Sequence, residues 1–317
     1  MSKRYFITGA GGFVGQYLSA YLLSQGHEVV GLDTLPVAPA LGQKRGRFSS
    51  YQFSMLDDVK LRALLGKVKP DLIVHLASAS SVGLSWQTPV ACFVNNTQIF
   101  MNLVEAMRAL KLNARLLSIG SSEQYGSMPK GQKVFVETDM PRPTSPYAVA
   151  RVAQEQISDI YTRGYGLDIL CTRSFNHIGP GQKDQFVVSS FVKQAVAVSL
   201  KLQPTISCGR LDIVRDFLDV RDVVRAYDLI LMKGKTGHIY NVCAGKGVTL
   251  KDILSYVCRK LSIHERPKQD KQLVRPLDNR VIVGSNAKLR ALGFKPRISL
   301  EQTLDDMVAH WLADMRQ

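Results

Sequence analysis

Three hundred and seventeen residues exceed a minimal module and suffice for one large α/β domain or two smaller ones sharing a cleft. With 45% hydrophobic and 21% charged residues, 24 glycines and 13 prolines, the composition is that of an ordinary globular chain and excludes the disordered and fibrous classes. A formal charge of +15, heavier in the second half and without a long run of one sign, favours a solvated basic face or an anion pocket over a nucleic-acid tail.

The first forty residues predict a β-α-β unit: an apolar run at 5–7, a glycine turn, a helical pattern over 14–23, Gly26, and a second apolar run at 28–32. Asp57 and Asp58 follow a third strand, where they suit the cap of a helix. Further apolar runs at 72–76, 115–119 and 168–172 are separated by segments long enough for crossover helices, and residues 95–110 and 147–161 carry helical spacing. Continuous apolar runs mark strands buried on both faces, so the predicted fold is α/β, a doubly wound parallel sheet of the Rossmann kind. Beyond residue 173 the pattern is irregular, with a helix near 187–200 and a basic stretch ERPKQDKQLVRPLDNR, which points to a smaller C-terminal region. The N-terminus meets glycines too early for a signal peptide or membrane span. Cys92, Cys171, Cys208, Cys243 and Cys258 form no C-x-x-C pair and no set with His at metal spacing. A cytoplasmic protein with free thiols and no metal is expected.

Gly9, Gly12 and Gly15 form G-x-x-G-x-x-G between the first strand and the first helix. There they permit a tight turn and let a pyrophosphate approach backbone N–H groups at the positive end of the helix. Asp33 closes the second strand, 18 residues after Gly15. A carboxylate at that point accepts hydrogen bonds from both adenosine ribose hydroxyls and repels a 2′-phosphate, so NAD(H) is preferred over NADP(H).

Ser121, in SSEQYG, ends a strand; Tyr147 begins a helix, with Arg151 one turn on. All three fall at the carboxyl edge of the predicted sheet, where ligands bind. Moving a hydride to or from a carbinol carbon requires a proton to move at its oxygen, work for a tyrosine whose anionic form a nearby cation stabilises and for a serine hydroxyl that steadies the substrate oxygen.

TGAGGFVG, HLAS, SSEQYG, SPYAVAR, RSFNHIGPGQ, VRDFLDVRDVVRAY and YNVCAGKG, in this order, resemble the NAD-dependent epimerase/dehydratase family of extended short-chain dehydrogenases. FNHIGPGQ, FVVSSFVKQ, RDFLDVRDVV and LRP followed by VGSNAKL are most similar to its branch of GDP-4-keto-6-deoxy sugar reductases. The resemblance implies a cofactor-binding domain over 1–172 with 216–244 and a sugar-nucleotide-binding domain over 173–215 with 245–317. It implies that Ser121 holds the 4-keto oxygen and Tyr147 delivers the proton. Phe13 and Val14 in the glycine loop, Ser54 and Met55 near the adenine, Leu76, Ala77 and Ser78, and Phe175 near the nicotinamide would accompany the cofactor. Asn176, Val187, Lys193, Arg215 and Arg275 would line a GDP-sugar, and Ser81, Ser85 and Trp86 would face its sugar.

Two positions depart from the family pattern. Arg151 stands where relatives carry Lys, keeping the charge but changing the contact to the nicotinamide ribose. Ser54 stands where relatives often carry Asp, leaving adenine recognition to backbone groups. Glu123 matches the base of related 4,6-dehydratases, but the loop AGGFVGQYLSA lacks their G-Q-D-G-S/A-Y-L continuation, which favours reduction. Open alternatives are a GDP-4-keto-6-deoxy-heptose substrate, a dehydratase or epimerase, and a non-catalytic nucleotide-binding scaffold. Related enzymes pair through the two helices at 95–110 and 147–161, so a homodimer is expected, with neither nucleic acid nor membrane as partner.

Overall fold

The computed structural model describes residues 2–37, 46–270, 273 and 279–316. The chain runs through β1 (Arg4–Thr8), α1 (Phe13–Ser24), β2 (Glu28–Asp33), β3 (Phe48–Gln52), α2 (Asp58–Val68), β4 (Leu72–His75), α3 (Val82–Gln87), α4 (Pro89–Ala109), β5 (Arg115–Ser121), α5 (Pro146–Tyr165) and β6 (Ile169–Ser174). It continues with β7 (Asn176–Ile178), α6 (Val187–Ser199), β8 (Ser207–Cys208), β9 (Val214–Asp219), α7 (Val220–Lys233), β10 (Ile239–Val242), β11 (Gly247–Thr249), α8 (Leu250–Lys260), β12 (Lys268–Gln269), β13 (Val281–Ile282), α9 (Ala287–Ala291) and α10 (Leu300–Met315).

Seven strands form one parallel sheet in the order β10-β6-β5-β4-β1-β2-β3, with the topological switch between β1 and β4. Every residue of β4 and β6 is buried, as continuous apolar runs covered on both faces require. One face is covered by α1 and α7 through Leu18, Leu22, Val223 and Tyr227; α2, α4 and α5 cover the other through Leu61, Leu65, Phe100, Leu103 and Tyr161. Local chemistry sets the helix limits. Asp57 accepts the Lys60 N–H at the start of α2, and Ser145 accepts the Ala148 N–H at the start of α5, where Pro146 supplies a preset φ. Gly166, at φ 70°, ends α5 in the left-handed conformation. The helix expected over 95–110 begins earlier, at Pro89, because proline suits a first helical turn.

The second layer is smaller. The chain crosses into a four-stranded sheet in which β9 pairs with β7, β11 and β13, and α6, α8 and α10 pack around Val188, Phe191, Ile253 and Met307. Residues 216–219 thus belong to the small sheet, while α7 and β10 return to the large one. A polar lock joins the layers: Asp219 caps α7, pairs with Arg221 at 2.7 Å and accepts from the Thr303 hydroxyl at 2.7 Å, and Arg221 also reaches Asp306. Among the described residues no helix is long and apolar enough to cross a membrane.

Candidate active site

A cavity of about 1200 Å³ opens along the carboxyl ends of the large sheet and runs into the small layer. Its floor is the glycine turn. Gly9 sits at φ 72°, and a Cβ there would stand 2.7 Å from the Ala77 nitrogen. A Cβ on Gly15 would fall on the Gly9 carbonyl oxygen and within 2.7 Å of Ala10 Cα. Both positions demand glycine, and Gly12, Phe13 and Val14 line the same wall. No side chain caps α1 at Gly12, so its first N–H groups remain available for an anion.

Asp33, at the end of β2, accepts the Gly11 N–H at 2.9 Å on one carboxylate oxygen and the Thr34 and Leu35 N–H groups on the other. These bonds tie the glycine turn to the second strand and aim the carboxylate at the cavity edge. Residues 34–37 following it, Thr-Leu-Pro-Val, offer no cation. Leu76, Ala77 and Ser78 run along the floor after β4, and the Ser78 hydroxyl is buried without a partner among the described residues. The Ala77 N–H donates to Thr8 Oγ1, which shares a hydrogen bond with His75 Nδ1 at 2.9 Å. Burial, with the Arg151 charge adding to it, lowers the His75 pKa to about 3, so the ring is neutral. Glycine turn, uncapped helix, Asp33 and orphaned Ser78 hydroxyl fit the pyrophosphate, ribose and amide groups of a dinucleotide.

Ser121, Glu123, Tyr147 and Arg151 come together beside this floor. The Ser121 hydroxyl accepts the Glu123 N–H at 3.2 Å, and the Tyr147 hydroxyl accepts from Arg151 Nε at 3.2 Å. Each hydroxyl therefore keeps its own hydrogen for a ligand oxygen. Arg151 is buried (4% exposed), and its Nη1 donates to the Ile119 carbonyl and to Gln154. Phe175, almost fully buried after β6, packs against Gly284, where a Cβ would collide with its ring. It closes the far side of the cavity.

On the small-layer side, Asn176, Val187 and Arg215 line the cavity, and Ser81, at the start of α3, lines it from the large layer. Arg215 is 6% exposed and is held by the Val214 and Asn279 carbonyls at 3.0 and 2.6 Å. Four of the expected residues do not line the cavity. Ser54 is exposed and accepts the Leu56 N–H in the turn before α2, while its neighbours Phe53 and Met55 face the cavity. Ser85 donates to the Val82 carbonyl inside α3, and neither it nor Trp86 lines the cavity; of α3 itself only Val82 does. Lys193 is taken up by Asp184 at 2.6 Å and lies 5.1 Å from the Trp311 ring centre. Arg275 lies outside the described residues.

Sequence reasoning missed Phe53, Lys183, Ser207 and Arg210, all at the cavity wall. Phe53 was findable, because it follows β3 at the carboxyl edge. Ser207 begins, and Arg210 follows, a two-residue strand that has no periodicity to betray it.

A dinucleotide cradle beside a serine, a tyrosine and a helical cation, joined to a second layer that brings arginine to the same cavity, defines an extended short-chain dehydrogenase. Residues 6–307 match the family described as GDP-mannose 4,6 dehydratase, and the chain belongs to that family. It is 32% identical over 319 residues, covering all of both chains, to the GDP-6-deoxy-D-mannose reductase of Pseudomonas aeruginosa. A solved structure of RMD from the same organism, complexed with NADPH, superposes with a TM-score of 0.85 at 31% identity, covering 99% of this chain and all of that one. The UDP-glucose 4-epimerase of Thermus thermophilus, solved with NAD, gives a TM-score of 0.86 at 30% identity, covering 97% of this chain and 98% of that one.

Proposed function

We propose that the protein reduces the 4-keto carbon of a GDP-4-keto-6-deoxy sugar, giving GDP-D-rhamnose or its carbon-4 epimer. The observation that carries this reading is the pair of free hydroxyl donors, Ser121 and Tyr147, beside the dinucleotide cradle. The full-length likeness to a GDP-6-deoxy-D-mannose reductase supports the substrate. A bound nicotinamide would supply hydride to carbon 4. Ser121 donates a hydrogen bond to the keto oxygen and orients it; Tyr147 donates its hydroxyl proton to that oxygen, so the carbonyl becomes an alcohol. Arg151, bonded to the phenol oxygen, compensates the negative charge that the tyrosine acquires. Arg215 and Arg210 supply positive charge for the diphosphate, Arg215 as a fixed fork and Arg210 as a group also engaged with Asp212.

NAD(H) preference is supported by Asp33, which presents a carboxylate where a 2′-phosphate would lie. A homodimer is supported by exposed Val90, Phe93 and Val94 on α4 and Val149 and Ile160 on α5. The test is to supply enzymatically made GDP-4-keto-6-deoxymannose with NADH or NADPH and to follow cofactor oxidation, with NMR of the product at carbon 4. Stoichiometric oxidation with a 6-deoxy product supports the reading; binding of nucleotides without oxidation favours a scaffold.

A further inference from the structure

Arg151 is a buried cation held by neutral acceptors. Three of its five N–H groups are committed: Nε to the Tyr147 hydroxyl at 3.2 Å, and Nη1 to the Ile119 carbonyl at 2.9 Å and Gln154 Oε1 at 2.7 Å. Among the described residues none accepts from Nη2, and Arg151 lines the cavity. A guanidinium is planar, so fixing Nε and Nη1 fixes the direction of the remaining Nη2 edge. The Ile119 carbonyl belongs to β5 and cannot move independently of the sheet. Gln154 is the adjustable partner, and it is itself fixed.

Gln154 lies on α5, 1% exposed, with Nε2 donating to Ser118 Oγ at 2.7 Å and to the Ile119 carbonyl at 3.2 Å. Its orientation follows from the partners: a carbonyl only accepts and a guanidinium only donates, so the amide nitrogen must face Ile119 and the oxygen must face Arg151. A chain of buried groups, Ser118 to Gln154 to Arg151 to Tyr147, thus leads from the middle of β5 to the phenol.

We infer that Gln154 is a positioning residue for Arg151, holding the guanidinium so that Nε meets the Tyr147 oxygen while the Nη2 edge meets the ribose hydroxyls of a bound nicotinamide dinucleotide. The inference rests on the proposed reading of the cavity as a dinucleotide site. Gln154 touches neither cofactor nor substrate and acts through the arginine alone. A lysine in place of Arg151, with a single freely rotating ammonium, would have no plane for Gln154 to set.

The experiment is a two-residue cycle. Gln154→Met keeps the volume and removes the amide; it is made both in the native chain and in Arg151→Lys. NADH affinity, turnover and thermal midpoint are measured for all four proteins. The expected result is about tenfold weaker NADH binding on Gln154→Met in the native background and less than about twofold in the Arg151→Lys background, a coupling within the range of contacting buried pairs. Equal losses in both backgrounds would overturn the inference, because a packing role does not depend on which cation stands there. Ser118→Ala frees the amide from the other side and serves if Gln154→Met does not fold; it should weaken NADH binding in the same background-dependent way, and a background-independent effect overturns the inference. NADH binding with the expected coupling but no turnover of the sugar nucleotide overturns the proposed substrate and leaves the role of Gln154 standing. Absence of NADH binding by the native protein overturns both.

Discussion

Replacing Arg173 by Met should strike stability and the site together. Arg173 grips Glu155 with two hydrogen bonds, Nη2 to Oε1 at 2.8 Å and Nε to Oε2 at 2.9 Å, and the two side chains are only 3% and 9% exposed. Burial opposes the guanidinium charge, and the Glu155 contact more than offsets it, so the group is held protonated more firmly than usual. Arg173 also donates to the Asp139 carbonyl and lies 4.6 Å from the Tyr125 ring centre. Without it, Glu155 keeps only the Gln124 amide, at 2.9 Å, as a side-chain donor among the described residues. Breaking a buried pair from one side costs about 3–5 kcal/mol. For a chain of this size that corresponds to a fall of roughly 6–10 °C in thermal midpoint, at about 2 °C per kcal/mol. Gln124 also accepts the Ser121 N–H at 2.9 Å, so the disturbance reaches the catalytic serine, and turnover should fall further than stability explains. The assay is thermal unfolding by circular dichroism alongside turnover at a temperature where the variant is folded. Arg173→Met combined with Glu155→Leu removes both charges and should regain at least half of the lost stability. An unchanged midpoint in the single variant, or losses that simply add in the double, would refute this reasoning.

Gly15→Ala should abolish dinucleotide binding and lower the thermal midpoint, since the added methyl group meets backbone atoms of the turn and not a movable side chain; titration with NADH and thermal unfolding check it. His75 stays neutral in the fold down to about pH 3, whereas an unfolded histidine protonates near 6.5, so its contribution to stability is complete above 6.5 and is lost as pH falls toward 3. Relative to His75→Gln, the native protein should therefore lose roughly 1.4 kcal/mol per pH unit below that point, and a constant difference between pH 7 and 4 in chemical denaturation would contradict it. Phe93→Glu with Val94→Glu places charge on the exposed face of α4 and should abolish the proposed homodimer without loss of fold; analytical ultracentrifugation of native and variant protein checks it, and a monomeric native protein would contradict the proposal.

The central sheet was legible because burial on both faces writes itself as unbroken apolar runs, and β1, β2, β4, β5 and β6 all stand where those runs lie. The glycine turn was legible for a different reason: Gly9 and Gly15 are dictated by backbone clashes that no other residue avoids. Positions at carboxyl strand ends, Asp33 and Ser121, followed from topology, whereas Phe175 came only with the family resemblance. What failed depends on side-chain direction inside short or irregular elements. Ser85 and Trp86 lie near the cavity in sequence, yet α3 presents only its first turn to it. Lys193 carries the right charge, but Asp184 nine positions earlier claims it, a pairing that only the fold of the loop before α6 creates. Ser207 lies in β8, a two-residue strand paired only with β12 and too brief for a period, so it and Arg210 just beyond it had no signal. The Gln154 contact was hidden for a similar reason, since helical spacing places it near Arg151 without indicating which way either side chain turns.

The most direct test of reduction at carbon 4 is isotopic. Native protein is supplied with GDP-4-keto-6-deoxymannose and with NADH or NADPH deuterated on the transferred face of the nicotinamide ring, and the product sugar is read by NMR and mass spectrometry. One deuterium is expected at carbon 4 of a GDP-6-deoxyhexose, with its appearance suppressed by Tyr147→Phe. Cofactor oxidation with the label absent from carbon 4, or full activity in Tyr147→Phe, would contradict it.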